Sequence, residues 1–373
     1  MTAPWIEIEE NQQPNVPAGP GYSDYTWQAL FASHVTILAY QDWYKLKWGF
    51  NASALFDEAL ERQKLFIETQ YLIRADHGFE PPEYRTLSFR FVHRPGKPLL
   101  VTVIGKIKGR TRQEALEGAL AFYSEIKHTF PYDYTLIPAL SREEFLHLCG
   151  SDILGDRGAS SSIVQVKRME APISQERDSP FLQGLWKTSP RAHEQIWRLL
   201  AGSECPLILN ITLRPTILYE KERIRLLQSA EEIARVDNPL VNQSTLAAMK
   251  QRYREYVERR MSPWGKFFYL QIHLASTQAL GESLSRIVGT SLALSSNGTF
   301  LPGYQVNMPE PDEKPHWRHQ IRNLDLIFTG SHLSSPRLSE VADLEEVFAA
   351  VRLPYSPPEN GLPGVTFSAA RNA

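Results

Sequence analysis

The chain has 373 residues, with 40 Lys+Arg against 42 Asp+Glu and a formal charge of −2. Hydrophobic residues are 42% and charged residues 22%, the balance of a globular protein and not of a disordered or fibrous one. Near-neutral charge excludes a globally polycationic nucleic-acid binder, and the length supports two domains or one elaborate one.

Residues 1–30 read as an extended, Pro-rich arm (PNVPAGPGYSDY) that Trp5, Tyr22, Tyr25 and Trp27 can pin to the body. A first series occupies 31–150. Val35, Thr36 and Ile37 predict a strand over 34–43. Leu55, Phe56, Ala59, Leu60, Phe66 and Ile67 recur mostly at three and four, predicting a helix over 52–71 behind Asn51 or Ser53. Alternating runs over 86–92 and 99–107, joined by HRPGKP, read as a hairpin. A helix over 112–127 is expected to bury Leu116, Ala119, Leu120, Tyr123 and Ile126, and a short strand over 134–137 follows. This is the βαββαβ order of a ferredoxin-like unit.

A short helix over 142–149 and the link GSDILGDRGASSS mark a boundary before a second series over 160–310. Strands are expected over 163–169, 207–213, 267–274 and 304–307. Helices are expected over 192–201, 220–236, 244–261 and 281–294. Setting aside the two middle helices, the order repeats. The sequence therefore predicts an α+β protein of two tandem ferredoxin-like units, the second with a helical hairpin inserted over 219–262. Residues 311–373 add a Pro-rich loop (MPEPDEKPHW), a strand over 324–328 and a helix over 339–350 capped by Ser339. The remainder, RLPYSPPENGLPGV and onward, reads as an extended arm with no partner strand in this chain.

Chemistry-bearing motifs are missing. A phosphate-cradling loop needs GxxxxGK(S/T), but Gly105-Lys106 is followed by Ile107 and no GxGxxG follows a strand. There is no GxSxG, and His147 and Cys149 point apart on a helix. His316-x-x-His319 reads as a solvated polar loop anchored by Trp317, not as a metal site. No cofactor and no enzymatic activity are expected. Cys149 and Cys205 read as two thiols, and residues 1–20 lack the basic start and apolar core of a signal peptide. No run approaches the about eighteen apolar residues of a membrane span, so a cytoplasmic location is expected.

The densest basic stretch is KQRYREYVERR, with Lys250, Arg252, Arg254, Arg259 and Arg260 around Tyr253 and Tyr256. It supports an alternative reading as a direct nucleic-acid-binding module. Against it, Glu255 and Glu258 dilute the charge and the tyrosines fall at core-facing spacing.

The string DLEEVFAAVRLPYSPPENGLPGV resembles the connector that precedes the motor domain in bacterial FtsK–HerA-type ATP-binding proteins, themselves similar to conjugation and type IV secretion motors. Arg352, Leu353, Pro354, Pro357, Pro358, Leu362, Pro363 and Gly364 fit that pattern, as do Glu345, Glu346, Phe348 and Gly361. PLILNITLRPTILYEKE and KFFYLQIHLAS are similar to upstream pieces of the same family. In the family the connector leads into a RecA-like domain with a Walker loop, and these 373 residues contain no such loop. The resemblance therefore implies the N-terminal part of a split system, its motor a separate chain, or a truncated chain. It implies a non-catalytic docking subunit, oligomeric in its complex with an FtsK–HerA-type ATPase, in translocation of DNA or, secondarily, protein. The eight connector residues named first are then the candidate docking residues.

Overall fold

The computed structural model describes residues 3–10, 26–38, 52–75, 85–155, 162–172, 181–187, 192–235, 243–262, 265–293, 303–329, 337–355 and 367–368. The first half runs β1 (Glu7–Glu10), β2 (Trp27–Leu38), α1 (Ala52–Ala75), β3 (Arg85–His93), β4 (Leu100–Gly109), α2 (Arg112–Thr129), β5 (Tyr134–Pro138), α3 (Arg142–Leu148) and α4 (Ser151–Leu154). There follow β6 (Ser162–Arg168), β7 (Glu170–Pro172), β8 (Phe181–Gln183), α5 (Ala192–Ala201), β9 (Leu207–Thr216), α6 (Glu220–Arg235), α7 (Gln243–Met261), β10 (Phe267–Ser276), α8 (Glu282–Leu292) and β11 (Tyr304–Asn307). The last part holds α9 (Lys314–Arg322), β12 (Val341–Asp343), α10 (Leu344–Ala350) and β13 (Phe367–Ser368).

The result is a mixed α+β fold. Eleven strands share one sheet along the path β1-β2-β4-β3-β9-β10-β6-β11, with β5 and β13 also on β2 and β12 also on β10. Pairing is antiparallel except between β13 and β2. β7 and β8 pair separately. The two series are thus joined edge to edge through β3 and β9, Leu87 standing opposite Leu213.

Because side chains alternate along a strand, the sheet has two unlike faces. One is apolar: Phe31, Phe89, Val103, Ile211, Leu270, Ile272 and their neighbours pack beneath α1, α2, α5, α8 and α10. Helix α2 buries Ala115, Ala119, Phe122, Tyr123 and Ile126 against it, and Leu120, expected inside, is exposed. The Phe31 ring lies across Gly105 of the neighbouring strand, where a Cβ would stand 2.1 Å from it, and is edge-on to Phe122 and Tyr123 of α2.

The other face is buried yet polar. Thr86, Ser88, Arg90, Thr102, Lys106, Asn210, Thr212, Arg214, Gln271 and His273 all lie inside. Above them run α4, α9, the segment 323–329 and the α6–α7 hairpin, which meet this face at small apolar clusters. The hydrogen bonds that a buried polar face requires come from this cover. Arg90 donates to Asn210 Oδ1 (2.8 Å) and to the carbonyls of Cys149 (2.7 Å) and Ile321 (2.7 Å). Lys106 Nζ donates to the Asn323 carbonyl (2.7 Å) and Asp325 Oδ1 (2.6 Å). Gln271 Nε2 donates to the Ile327 carbonyl (2.6 Å), while Ile327 N donates back to Gln271 Oε1 (2.9 Å).

Several expectations are corrected. The strand expected over 324–328 is not one: this segment lies over the sheet, where the Gln271 side chain takes its backbone groups that a neighbouring strand would otherwise take. The helix expected over 339–350 is a 3-10 turn (Leu338–Glu340), then β12, then α10 capped by Asp343 and not Ser339. His316 and His319 stand on α9, whose first turn carries Pro315, and not in a loop. Part of the N-terminal arm is sheet: β1 pairs with the start of β2, which begins at Trp27 and not near His34. Tyr22 and Tyr25 lie outside the described residues. The C-terminal arm does have a partner strand, since β13 pairs with Ile37 and Leu38 of β2.

Candidate functional site

The two sets of residues singled out in the sequence, the basic run on α7 and the connector after α10, converge on one end of β10. One edge of β10 is taken by β9 along its whole length. The other edge is shared: β6 pairs with residues 272–276 and β12 with 267–269. Arg168, the last residue of β6, sits where β6 departs and β12 enters. Its Nη2 donates to the carbonyls of Ser339 (2.6 Å) and Val341 (2.8 Å), and its Nη1 to Glu346 Oε1 (2.9 Å).

Glu346 is placed by a capping box. Asp343 accepts from Glu346 N (3.0 Å), and Glu346 accepts from Asp343 N (3.3 Å), so α10 begins squarely after β12. The same carboxylate takes a second cation, Arg260 from α7, at 2.8 Å. Arg260 also donates to the Val341 carbonyl (2.6 Å), with its guanidinium 3.6 Å from the Tyr256 ring centre. Its neighbour Arg259 holds both oxygens of Asp343 at 2.6 Å. Arg260 and Glu346 are 0% exposed. Burial would raise the Glu346 carboxyl, but Arg168 and Arg260 hold it down to about 2. Further pairs tie the incoming segment to the body: Lys167 with Glu340 at 2.8 Å, and Arg337 with Glu222 at 2.6 Å.

Beyond α10 the connector is bracketed by one amide. Leu353 N donates to Gln63 Oε1 (2.9 Å), and Gln63 Nε2 donates to the Leu353 carbonyl (3.5 Å) and to Tyr134 Oη (2.7 Å). A side chain of α1 thus stands in for a neighbouring strand. Arg352, Leu353, Pro354 and Tyr355 are all buried against the chain itself. Of the candidate docking residues, then, Arg352, Leu353 and Pro354 are inside the body and not on its surface. Pro357, Pro358, Leu362, Pro363 and Gly364 lie outside the described residues.

The basic run does not form one face. Arg259 and Arg260 turn inward to carboxylates, and Lys250 donates to the Ala234 carbonyl across the hairpin (3.0 Å). Arg252 is half-buried and Arg254 exposed. Tyr253 and Tyr256 are core residues of the hairpin. A cleft of about 640 Å³ between α6 and the incoming segment is lined by Tyr219, Lys221, Glu222, Arg225, Arg337 and Leu338, where Arg337 is already held by Glu222. Among the described residues no cluster of His, Cys, Asp and Glu could hold a metal ion, and no helix is long and apolar enough to cross a membrane.

Sequence reasoning did not pick out Arg168, Gln63 or Glu222, whose partners lie 178, 290 and 115 residues away. The capping box Asp343-x-x-Glu346 was readable and would have moved the start of α10 to its observed place. No protein-family model matches the chain, and no curated protein matches it.

Proposed function

We propose that this chain is a non-catalytic docking subunit of a separate, hexameric FtsK–HerA-type ATPase, and that the complex translocates DNA. In this reading the body is two ferredoxin-like units. Supporting it, β2, β3, β4 and β5 pair in the order β5-β2-β4-β3, and β6, β9, β10 and β11 repeat that order as β11-β6-β10-β9. Each is the 4-1-3-2 order expected of a βαββαβ unit.

The observation that carries the reading is the anchoring of the segment resembling the family's connector. From Arg337 to Tyr355 it is mostly buried in the body, with Glu345 exposed, and it is joined to β10, capped, and held by Arg168, Arg260 and Gln63. A connector rooted this way is fixed as far as Tyr355, as a subunit that must hold a motor in a set orientation requires. Two of the five charges of α7 that could have served a nucleic acid, Arg259 and Arg260, are spent on the same anchor. In this reading DNA meets the motor and not this chain.

The test is co-purification of the full chain with such an ATPase, alongside a chain ending at Tyr355, which keeps the anchor intact. Capture by the full chain and loss in the shortened one is the expected result. Absence of a complex with the full chain refutes the reading, as does ATP turnover by the purified chain alone.

A further inference from the structure

On the polar face of the sheet, several cations crowd one carboxylate. Lys106 and Lys108 of β4 both reach Asp325 Oδ1, at 2.6 and 3.5 Å. Lys106 stands opposite Thr86 of β3. Buried Arg214 of β9 donates to that same threonine hydroxyl (3.0 Å), its Nη2 enclosed and unpartnered. The Lys106 side chain is 0% exposed and that of Lys108 15%. Among the described residues, the other elements around Lys106 bring no second anion to it. β2 places Leu30 opposite it, and Arg90 of β3 is spent on Asn210 and two carbonyls. On α9, Arg322 turns to Glu9 of β1 (3.3 Å), and His319 is bonded to the Asn323 side chain (3.0 Å).

The hydrogen bonds of Lys106 bear on its protonation. Its Nζ has two acceptors, the Asn323 carbonyl (2.7 Å) and Asp325 Oδ1 (2.6 Å). A neutral amine has two N–H groups and can satisfy both; an ammonium has three, and the third would be buried without an acceptor. The charges give the same answer. Arginine keeps its proton and Lys108 keeps contact with water, so the enclosed Lys106 is the group that sheds a proton to relieve the excess. Asp325 is not stranded by this, because Lys108 stays beside it. We infer that Lys106 is a proton-sensitive latch on the covering segment 323–328: the neutral amine holds the segment against the sheet, and uptake of a proton loosens it. Burial, with Lys108 and Arg214 adding to it and Asp325 opposing, pushes the Lys106 amine down to about 7 from an ordinary 10.5. Between these values the unfolded chain holds a proton that the folded chain lacks, so stability rises with pH through that window. Below about 7 both states hold the proton and the dependence ends.

The experiment follows the full chain by NMR across this window, reading the Lys106 side-chain Cε–H resonance and the exchange of the Ile327 amide, which donates to Gln271 Oε1. The resonance should titrate near neutrality, well below the other lysines. The Ile327 protection factor, corrected for the intrinsic rate, should rise by up to about tenfold for each pH unit between about 7.5 and 9.5, as one proton demands. In Lys106→Met, which keeps the length without the amine, that rise should vanish. A Lys106 midpoint at the ordinary lysine value overturns the inference. So does an equal rise in Lys106→Met, or a flat Ile327 protection factor in the wild type. Should Lys106→Met not fold, the wild-type titration decides together with Asp325→Asn. That variant removes the carboxylate between the cations and should move the Lys106 midpoint further down; an unmoved midpoint overturns the inference.

Discussion

Replacing Glu346 by Ala should be the most damaging single truncation on the C-terminal side of the molecule. The carboxylate neutralises two guanidiniums, Arg168 at 2.9 Å and Arg260 at 2.8 Å, and all three groups are essentially inaccessible to water. Removing one member of a buried ion pair costs about 3–5 kcal/mol, because the remaining charge is stranded. Here two like charges are stranded, and neither can swing out to solvent. Arg168 is tied to the carbonyls of Ser339 and Val341, and Arg260 to those of Val341 and Tyr256. Loss of the capping box adds about 1 kcal/mol. A total near 5 kcal/mol follows, the upper end of the pair range. At about 2 cal/mol/K per residue, the unfolding entropy of 373 residues is about 0.8 kcal/mol/K, so the melting temperature should fall by about 6 °C. Calorimetry of the purified chain measures this directly. Glu346→Gln, which keeps an acceptor but not the charge, should fall between the variant and the wild type. A fall in melting temperature of less than about 1 °C for Glu346→Ala would mean that water reaches the cluster, and the reasoning would fail.

Further expectations concern the same anchor. Gln63→Leu leaves Leu353 N–H without its acceptor and should cost about 1–3 kcal/mol, with the Leu353 amide exchanging at least tenfold faster; unchanged exchange would show that the bracket is dispensable. Acid should loosen the C-terminal segment. Glu346 and Asp325 are both held at about 2 against ordinary values of 4.5 and 3.8, so they stabilise the fold fully above those values. That contribution is lost progressively as pH falls from about 4.5 towards 2, and a melting temperature flat across this window would contradict it. On α7, Arg254→Glu should change stability by less than about 0.5 kcal/mol, whereas Arg259→Glu sets a third carboxylate against Asp343 and should cost at least about 2 kcal/mol by urea titration. Equal effects would mean that Arg259 is solvated like its exposed neighbour.

The elements of the body were legible in the sequence because both periodicities were clean there. The runs around Phe89, Val103, Leu209 and Ile272 alternate, and the stripe Ile196, Trp197, Leu200 recurs at three and four. Helix α2 was placed correctly and its buried stripe only in part: Ala119, Tyr123 and Ile126 are buried as expected, with Ala115 and Phe122 in place of Leu116 and Leu120. What alternation could not reveal is that the intervening polar residues are buried as well. Arg90, Asn210 and Gln271 occupy positions that in a one-sided sheet face water; Arg90 and Gln271 bond backbone groups more than fifty residues away, and Asn210 bonds the side chains of Ser88, Arg90 and Thr212. The segment 324–328 was read as a strand from its apolar composition, yet the side chain of Gln271, and not a neighbouring strand, takes the backbone of Ile327. The basic run on α7 misled for a related reason: charge on a helix says nothing about which carboxylates the fold will bring to it.

A polar interface of this kind is not what stability alone would select. Well-packed apolar residues in place of buried ion pairs are often as stable or more so, whereas a mismatched polar contact is heavily penalised. An apolar cover could slide along the sheet by a residue and still bury area. A cover that must give the Asn323 carbonyl to Lys106, the Ile327 backbone to Gln271 and Glu340 to Lys167 has one register only. The same holds where the chain passes from the polar face to the apolar one. β12 can enter beside β10 only because β6 stops at Arg168, and Arg168 then bonds the two carbonyls that flank the entry. Each of these contacts removes one way for the segment to shift, and Gln63 removes the last by fixing Leu353 against α1. The course of the chain as far as Tyr355 is therefore set by residues scattered from 63 to 346, most of which lie outside the connector. Changes at those positions should loosen the segment up to Tyr355 without altering any residue of the connector after α10.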